Sequence, residues 1–372
     1  MAVADLPPFG KVHLALSHEA AKTVYTDARF SRRESFAGAA ARLNGNMSAW
    51  GTEGVEGAAH RLIRRQVSAV LTTSAVARVE AAVTDLAHGL VEELSRAGQP
   101  GDLVSGLAVP LAVQVAAMVY GVTLPDPAQL RTWIDVLVSV EDVPDDQVQA
   151  AVAGISGAAL RAVLRARPDP DASGLVPRLL ATLGTDRPAR TRIAHLLVML
   201  VVAAVENPAT SLCTTAVALL SDPALVHRVL AEPDRLGPVL DELLRLYPPG
   251  LMGFARTTTA EVELCGTVIP AGATVVPLIA TANRDTTVFE APDELRPGRV
   301  RVQPDLTFGW GAHSCVGAQL GRMQLHAAIG ALLSLPGLRL AVPVHELPVR
   351  GGHIVDGFEE IPLRWERTPD VG

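Results

Sequence analysis

Apolar residues recur at three- and four-residue spacings over most of this chain, and only the last third breaks into short alternating runs. Residues 11–16 alternate weakly and predict a strand, with Ser17 as the N-cap of a helix through 21–25. A Gly-, Ala-, Ser- and Asn-rich stretch, 34–58, reads as a long, mobile loop. The helical period returns over 60–71, which carries several arginines, and over 107–122, which is apolar. Amphipathic helices over 129–138 and 146–164 flank an acidic turn, 141–146, and a Pro/Asp/Gly loop follows over 167–174. Residues 189–220 have helical composition with Pro208 in the middle. The helix predicted over 234–246 is stopped by Pro248 and Pro249.

The character then changes. Runs at 261–264, 267–269 and 273–279 predict short strands punctuated by Gly and Pro. An irregular loop over 297–314 leads into a helix over 316–333, and 337–342 and 361–365 predict late strands. The fold class is mainly α, with a smaller β-rich part, in a single domain over 1–372.

Composition narrows the class. Of the residues, 49% are hydrophobic and only 4% aromatic, and the net charge is −7. No basic run points to nucleic acid. The longest uncharged apolar stretch, 193–205, is too short to span a bilayer and reads as a core helix. No signal peptide is evident, so a cytoplasmic protein without a membrane partner is expected, as a monomer. Cys213, Cys265 and Cys315 are an odd number at wide spacing, neither a disulfide framework nor a zinc site.

The chemistry gathers around Cys315. A thiolate ligand needs access to a metal, compensation of its charge and a dry surround. Cys315 stands just before a predicted helix start, whose free N–H groups favour an anion and are expected to lower the thiol pKa. Gly309, Gly311 and Gly317 remove bulk, so backbone can approach a flat ligand closely. Phe308 supplies an apolar wall, and His313 could reach an acidic group on the same ligand. A lone cysteine beside a glycine turn is usually just structural. This segment is more specific than that.

From Phe308 through Gly309, Gly311, His313, Cys315, Gly317 and Leu320 to Arg322, it resembles the haem-binding signature of the cytochrome P450 family, with Gly321 where Ala is usual. The resemblance covers nearly the whole chain from about Lys11, although the family's proline-rich opening is mostly missing. Asp27 to Arg32 is similar to an early family motif. The resemblance implies the P450 fold, haem b as cofactor, and Cys315 as the axial metal ligand.

It also assigns other roles. Glu242 and Arg245 match the family's Glu-x-x-Arg pair, and Arg299 matches the second arginine that completes a structural network behind the haem loop. Alone, such a pair is usually a solvated salt bridge. Candidates for the haem propionates are His60, Arg64, Arg256 and His313, with an exposed helix face as the competing reading for His60 and Arg64.

The family's central helix carries an acid followed by threonine. Here Glu206 keeps the acid, Asn207 replaces the threonine, and Pro208 follows, which should kink the helix near Ala204. An amide relays protons less well than a hydroxyl. Thr210 is the candidate substitute, and Asn207 as the cap of a broken helix is the plain alternative.

The implied activity is dioxygen activation to hydroxylate, epoxidise or oxidatively couple an apolar small molecule, in secondary metabolism. Electrons would come from NAD(P)H through a ferredoxin reductase and a ferredoxin docking on Arg64, Arg65 and Arg322. The pocket is expected between 34–58, the helices around 129–160, 201–206, 250–254 and 352–355. Rival readings are a non-catalytic recruitment module on the same fold, and a peroxide-driven haem enzyme without a redox partner.

Overall fold

The Ser17 Oγ accepts from the Ala20 N–H at 3.2 Å and starts the first helix of the computed structural model, which describes residues 1–6, 10–37, 41, 43, 56–300 and 302–366. The helices run α1 (His18–Thr26), α2 (Arg32–Ala37), α3 (Gly57–Ala69), α4 (Thr73–Ala97), α5 (Val109–Tyr120), α6 (Pro127–Val138) and α7 (Asp145–Arg165). They continue as α8 (Leu175–Leu183), α9 (Arg187–Leu220), α10 (Pro223–Ala231), α11 (Leu236–Leu246), α12 (Ile279–Ala282) and α13 (Ala318–Leu332). A π-helical turn, Val104–Ala108, leads into α5. Most of the region expected to form a long loop, 38–40, 42 and 44–55, lies outside the described residues. Its two ends are the helices α2 and α3.

The strands are β1 (Ala2–Leu6), β2 (Gly10–Ala15), β3 (Phe30–Ser31), β4 (Gly101–Asp102), β5 (Arg256–Thr258), β6 (Val262–Leu264), β7 (Thr267–Ile269) and β8 (Thr274–Pro277). Later come β9 (Arg339–Leu340), β10 (Val349–Arg350), β11 (Gly357–Phe358) and β12 (Pro362–Arg364). The main sheet has the order β1-β2-β8-β5-β3, with β2 and β8 parallel and the other pairs antiparallel. It flanks the helical mass and carries Arg256 into the interior.

Helix α9 is the axis of that mass. Asp186 caps it by accepting from the Ala189 N–H at 2.8 Å. It packs on α5, α7, α8, α11 and α13, and its buried side chains include Ile193, Leu197, Val201, Val205, Leu212 and Ala216. The expectation of a stretch too short to cross a bilayer needs correcting. Both α7, with 21 residues, and α9, with 34, are long and apolar enough by length and composition. Packing explains the length of α9, because neighbouring helices surround it and it needs no polar face there.

Pro208 does not end α9, which runs hydrogen-bonded from Arg187 to Leu220. A proline removes one N–H, and the neighbouring bonds and flanking helices hold the rest of the ladder. The reading of Asn207 as a cap of a broken helix is therefore overturned.

At the far side of α9, the end of α6 is clipped to the last loop of the chain. The Val140 N–H donates to the Gly352 carbonyl at 2.9 Å, and the Ile354 N–H donates to the Val138 carbonyl at 2.8 Å. Ser139 and His353 form the β-bridge between them.

Candidate active site

The loop before α13 folds on itself to present a thiol. The Cys315 N–H donates to the Phe308 carbonyl at 2.7 Å, and the Gly309 N–H to the Leu306 carbonyl at 2.8 Å. Gly309 and Gly311 take φ of +67° and +73°, a region that favours glycine. A Cβ on Gly311 would lie 3.2 Å from both Thr26 Cγ2 and the Tyr25 carbonyl oxygen, so the loop seats directly on the end of α1.

Cys315 opens into a cavity of about 400 Å³, a size typical of small-molecule sites. Phe308, Gly309, Gly317, Leu320 and Gly321 surround the thiol on the loop and α13 side. Ala203, Ala204, Asn207, Pro208 and Ser211 of α9 form the opposite wall. Burial pushes the Cys315 thiol pKa up, against the pull of the Gly317 N–H and the charges of Arg64 and Arg322. This reverses the expected lowering. The thiol has an open face onto the cavity, but protein encloses its other sides, and desolvation wins until a cation is present to hold the thiolate.

At one edge of the cavity, basic groups converge. Arg32, Arg256 and His313 line it, and Arg256 is buried. His313 stacks on His60 with ring centroids 4.0 Å apart. Burial, then Arg32, His60, Arg256 and Arg64, push the His313 pKa down to about 3. The imidazole is therefore neutral at ordinary pH and offers a hydrogen bond rather than a charge. The Arg64 guanidinium donates to the Ser314 carbonyl, which pins the peptide next to Cys315. His60 and Arg64 are thus not on a free solvent face, because α3 turns them towards the cysteine loop. Arg32 was not singled out from sequence as a site residue, although it ends the early motif Asp27 to Arg32.

Behind the loop, Glu242 is shared by two arginines. Its Oε1 accepts from Arg245 Nη2 at 2.7 Å and from Arg299 Nε at 2.9 Å. The Arg245 and Glu242 side chains are 0% and 1% exposed, which rules out the solvated pair. Burial would raise the Glu242 pKa, but hydrogen bonds from Arg245 and Arg299 outweigh it and hold the carboxyl below its usual range. Arg245 also donates to the carbonyls of Asn283 and Pro292 at 2.8 and 2.7 Å. Asn283 in turn accepts from the Leu306 N–H at 2.7 Å, just ahead of the cysteine loop.

The residues expected for oxygen handling separate. Asn207 lines the main cavity, and its Nδ2 donates to the Ala203 carbonyl at 3.3 Å. Glu206 touches that cavity but spends its carboxylate on Arg350, which also pairs with Asp135. Thr210 faces away: its Oγ1 approaches Glu206 Oε1 at 3.4 Å, and it borders a separate small space with Cys213 and Arg350. Ser211 is the hydroxyl that α9 brings to the cavity wall, because residues 203, 207 and 211 lie four apart in one row of the helix. Neither Ser211 nor Arg350 was found from sequence. The four-residue spacing carried a signal for the first, and nothing local pointed to the second.

Two further expectations need correcting. No residue of α7 lines the cavity, and from the 352–355 segment only Ile354 and Val355 do. On the opposite surface Arg322 pairs with Asp241 at 2.8 Å and stacks on Phe308, so of the expected docking arginines only Arg65 stays exposed.

These features fit a haem: a thiol beneath open space, glycines that admit a flat group, and a basic edge for two carboxylates. The comparisons with known proteins agree. Residues 179–335 match the family model described as Cytochrome P450. The chain is 32% identical to Nocardicin C N-oxygenase of Nocardia uniformis subsp. tsuyamanensis, over 96% of this chain and 91% of the relative. It is 32% identical to cytochrome P450 monooxygenase PikC of Streptomyces venezuelae, over 98% and 88%. The crystal structure of cytochrome P450mel 107F1 with biaryl coupling reactivity superposes with TM-score 0.86 at 29% identity, over 98% and 93%. The chain belongs to the cytochrome P450 family and is a P450 monooxygenase.

Proposed function

We propose that this protein binds haem b, whose iron Cys315 would hold, and oxidises an apolar small molecule of secondary metabolism, by hydroxylation, epoxidation or oxidative coupling. The supporting observation is the thiol opening into a cavity with a basic edge on one side and an apolar wall above. Haem bound there would supply reductive activation of dioxygen, with the Cys315 thiolate as its electron donor.

The chain's own residues have separable tasks. Arg32, Arg256 and neutral His313 bind the propionates, and His60 backs His313. Arg64 fixes the Ser314 peptide, and the Gly317 N–H steadies the sulfur. Glu242, Arg245 and Arg299 hold the segment leading to the loop. Phe308 and Leu320 keep water from the thiolate, since both line its side of the cavity. Proton handling falls to Asn207 and Ser211 on the wall, with Glu206 behind them held by Arg350.

The relatives named for N-oxygenation and for biaryl coupling support both chemistries, and the missing threonine leaves room for coupling. Electrons come from NAD(P)H through a reductase and a ferredoxin, with Arg65 on the docking face. The protein acts as a cytoplasmic monomer.

The test is the absorbance of the reduced protein under carbon monoxide. A Soret band at the long wavelength of thiolate ligation is expected, lost in Cys315→Ser and kept in Cys265→Ser. A short-wavelength band in the unmodified protein would overturn the reading.

A further inference from the structure

Two residues of α9 that line the cavity with Cys315, Ala204 and Asn207, each bring an acceptor oxygen that the sequence leaves short of a donor. Pro208 has no N–H, so the Ala204 carbonyl loses the donor that an uninterrupted helix would give it. One residue before the proline, Asn207 donates through Nδ2 to the Ala203 carbonyl at 3.3 Å. That bond fixes which end of the amide is which, because only the nitrogen can donate. Asn207 Oδ1 is left without a partner among the described residues. Both residues line the cavity, where Met199, Leu200 and Val202 of the same helix add apolar surface and Ser211 a hydroxyl one turn on.

Asn207 is open to the cavity, so its acceptor becomes costly only when a bound molecule covers it without pairing it. Water satisfies it in the empty site, and an incoming molecule that displaces this water must replace its hydrogen bonds. An ether, an ester or a hydrocarbon cannot do so. An ammonium group would need a carboxylate close by, and Glu206 is already engaged by Arg350.

We propose that Asn207 Oδ1 and the Ala204 carbonyl form a recognition pair for a neutral hydrogen-bond donor on the substrate. The substrate class is then an apolar molecule carrying a phenol, alcohol, amide or indole-type N–H or O–H, held with that group against α9. This rests on the monooxygenase reading and narrows its substrate. It also gives Pro208 a purpose in the site, since the proline uncovers one of the two acceptors.

The experiment is calorimetric titration of the ferric holoenzyme with two probes of nearly equal shape, 4-phenylphenol and 4-methoxybiphenyl. The expected result is a preference of about tenfold for the phenol, the equivalent of one hydrogen bond. Asn207→Leu should bring the two affinities to near equality. Pro208→Ala, which restores an N–H to cover the Ala204 carbonyl, should lower the preference by a smaller factor. Equal affinities in the unmodified protein, or an unchanged preference in Asn207→Leu, would overturn the proposal. The carbon monoxide spectrum of the same samples separates the two ideas. A thiolate band without the preference sinks the acceptor pair alone, and the preference without the band sinks the monooxygenase reading alone.

Discussion

Arg350 places its guanidinium between Asp135 and Glu206, so that one arginine near the end of the chain joins α6 to the middle of α9. Glu206 is buried, and removing its partner would strand a carboxylate among apolar groups. Breaking such a pair typically costs about 3–5 kcal/mol. Arg350→Met is expected to lower stability by that order in chemical denaturation. The double change Arg350→Met with Glu206→Gln should recover most of it. A loss of only a few tenths of a kcal/mol in the single variant would mean that Glu206 is not held as a charge.

The docking face can be probed without disturbing the fold. Arg65 is exposed, whereas Arg64 and Arg322 are tied to Ser314 and Asp241. Arg65→Glu should slow reduction by ferredoxin about tenfold at low salt and flatten its salt dependence. Stopped-flow reduction measures this, and unchanged kinetics would remove α3 from the docking face.

Ser211 and Thr210 are adjacent hydroxyls on different sides of α9. A positioned proton donor contributes about a hundredfold or more to rate. Ser211→Ala should therefore cut coupled turnover by that order and release more peroxide, while Thr210→Ala leaves the peroxide yield near its original level. Asn207→Thr should reduce peroxide release. The opposite ranking of the two alanine variants would return the role to Thr210.

Stability at acid pH should depend on Glu242. Its folded pKa lies below the ordinary glutamate value of about 4.5, so the unfolded chain takes up this proton first as pH falls. The stabilisation is complete above about 4.5 and is lost as pH drops through the folded pKa. Thermal melting followed downward from pH 6 should show this loss in the original protein. In Glu242→Gln, the melting temperature should start lower and lose less over the same interval.

The legible parts of this fold had a local signature. The cap at Ser17, the apolar α5 and the glycine-spaced segment around Cys315 each reveal themselves within about a dozen residues. Helix α4 (Thr73–Ala97) was passed over although its buried Val76, Val83, Ala87, Leu90 and Leu94 recur at helical spacing, a signal the sequence does carry. The short helices α8 and α10 escaped because they fall between loop-like Pro and Gly positions. Glu242 with Arg245 was visible as a motif, but not its burial, which depends on segments around 283–299 folding over it. The partner of Glu206 stands 144 positions away, and no periodicity encodes such a contact. The thiol pKa at Cys315 was misjudged for the same reason: a helix start is local, whereas desolvation comes from the whole surround.

Gly253 sits on the cavity wall, and a Cβ there would fall 2.1 Å from the Tyr25 hydroxyl. Tyr25 is half-buried, with the Arg256 guanidinium 5.7 Å from its ring centroid, and desolvation pushes its pKa up to about 12. A side chain at this point of the wall would have to displace the phenol. Changes of selectivity are expected instead at its neighbours Met252 and Phe254, whose side chains line the same cavity. A library that randomises 252 and 254 while sparing 253 should yield folded variants with altered selectivity, and one that includes 253 should be depleted of them.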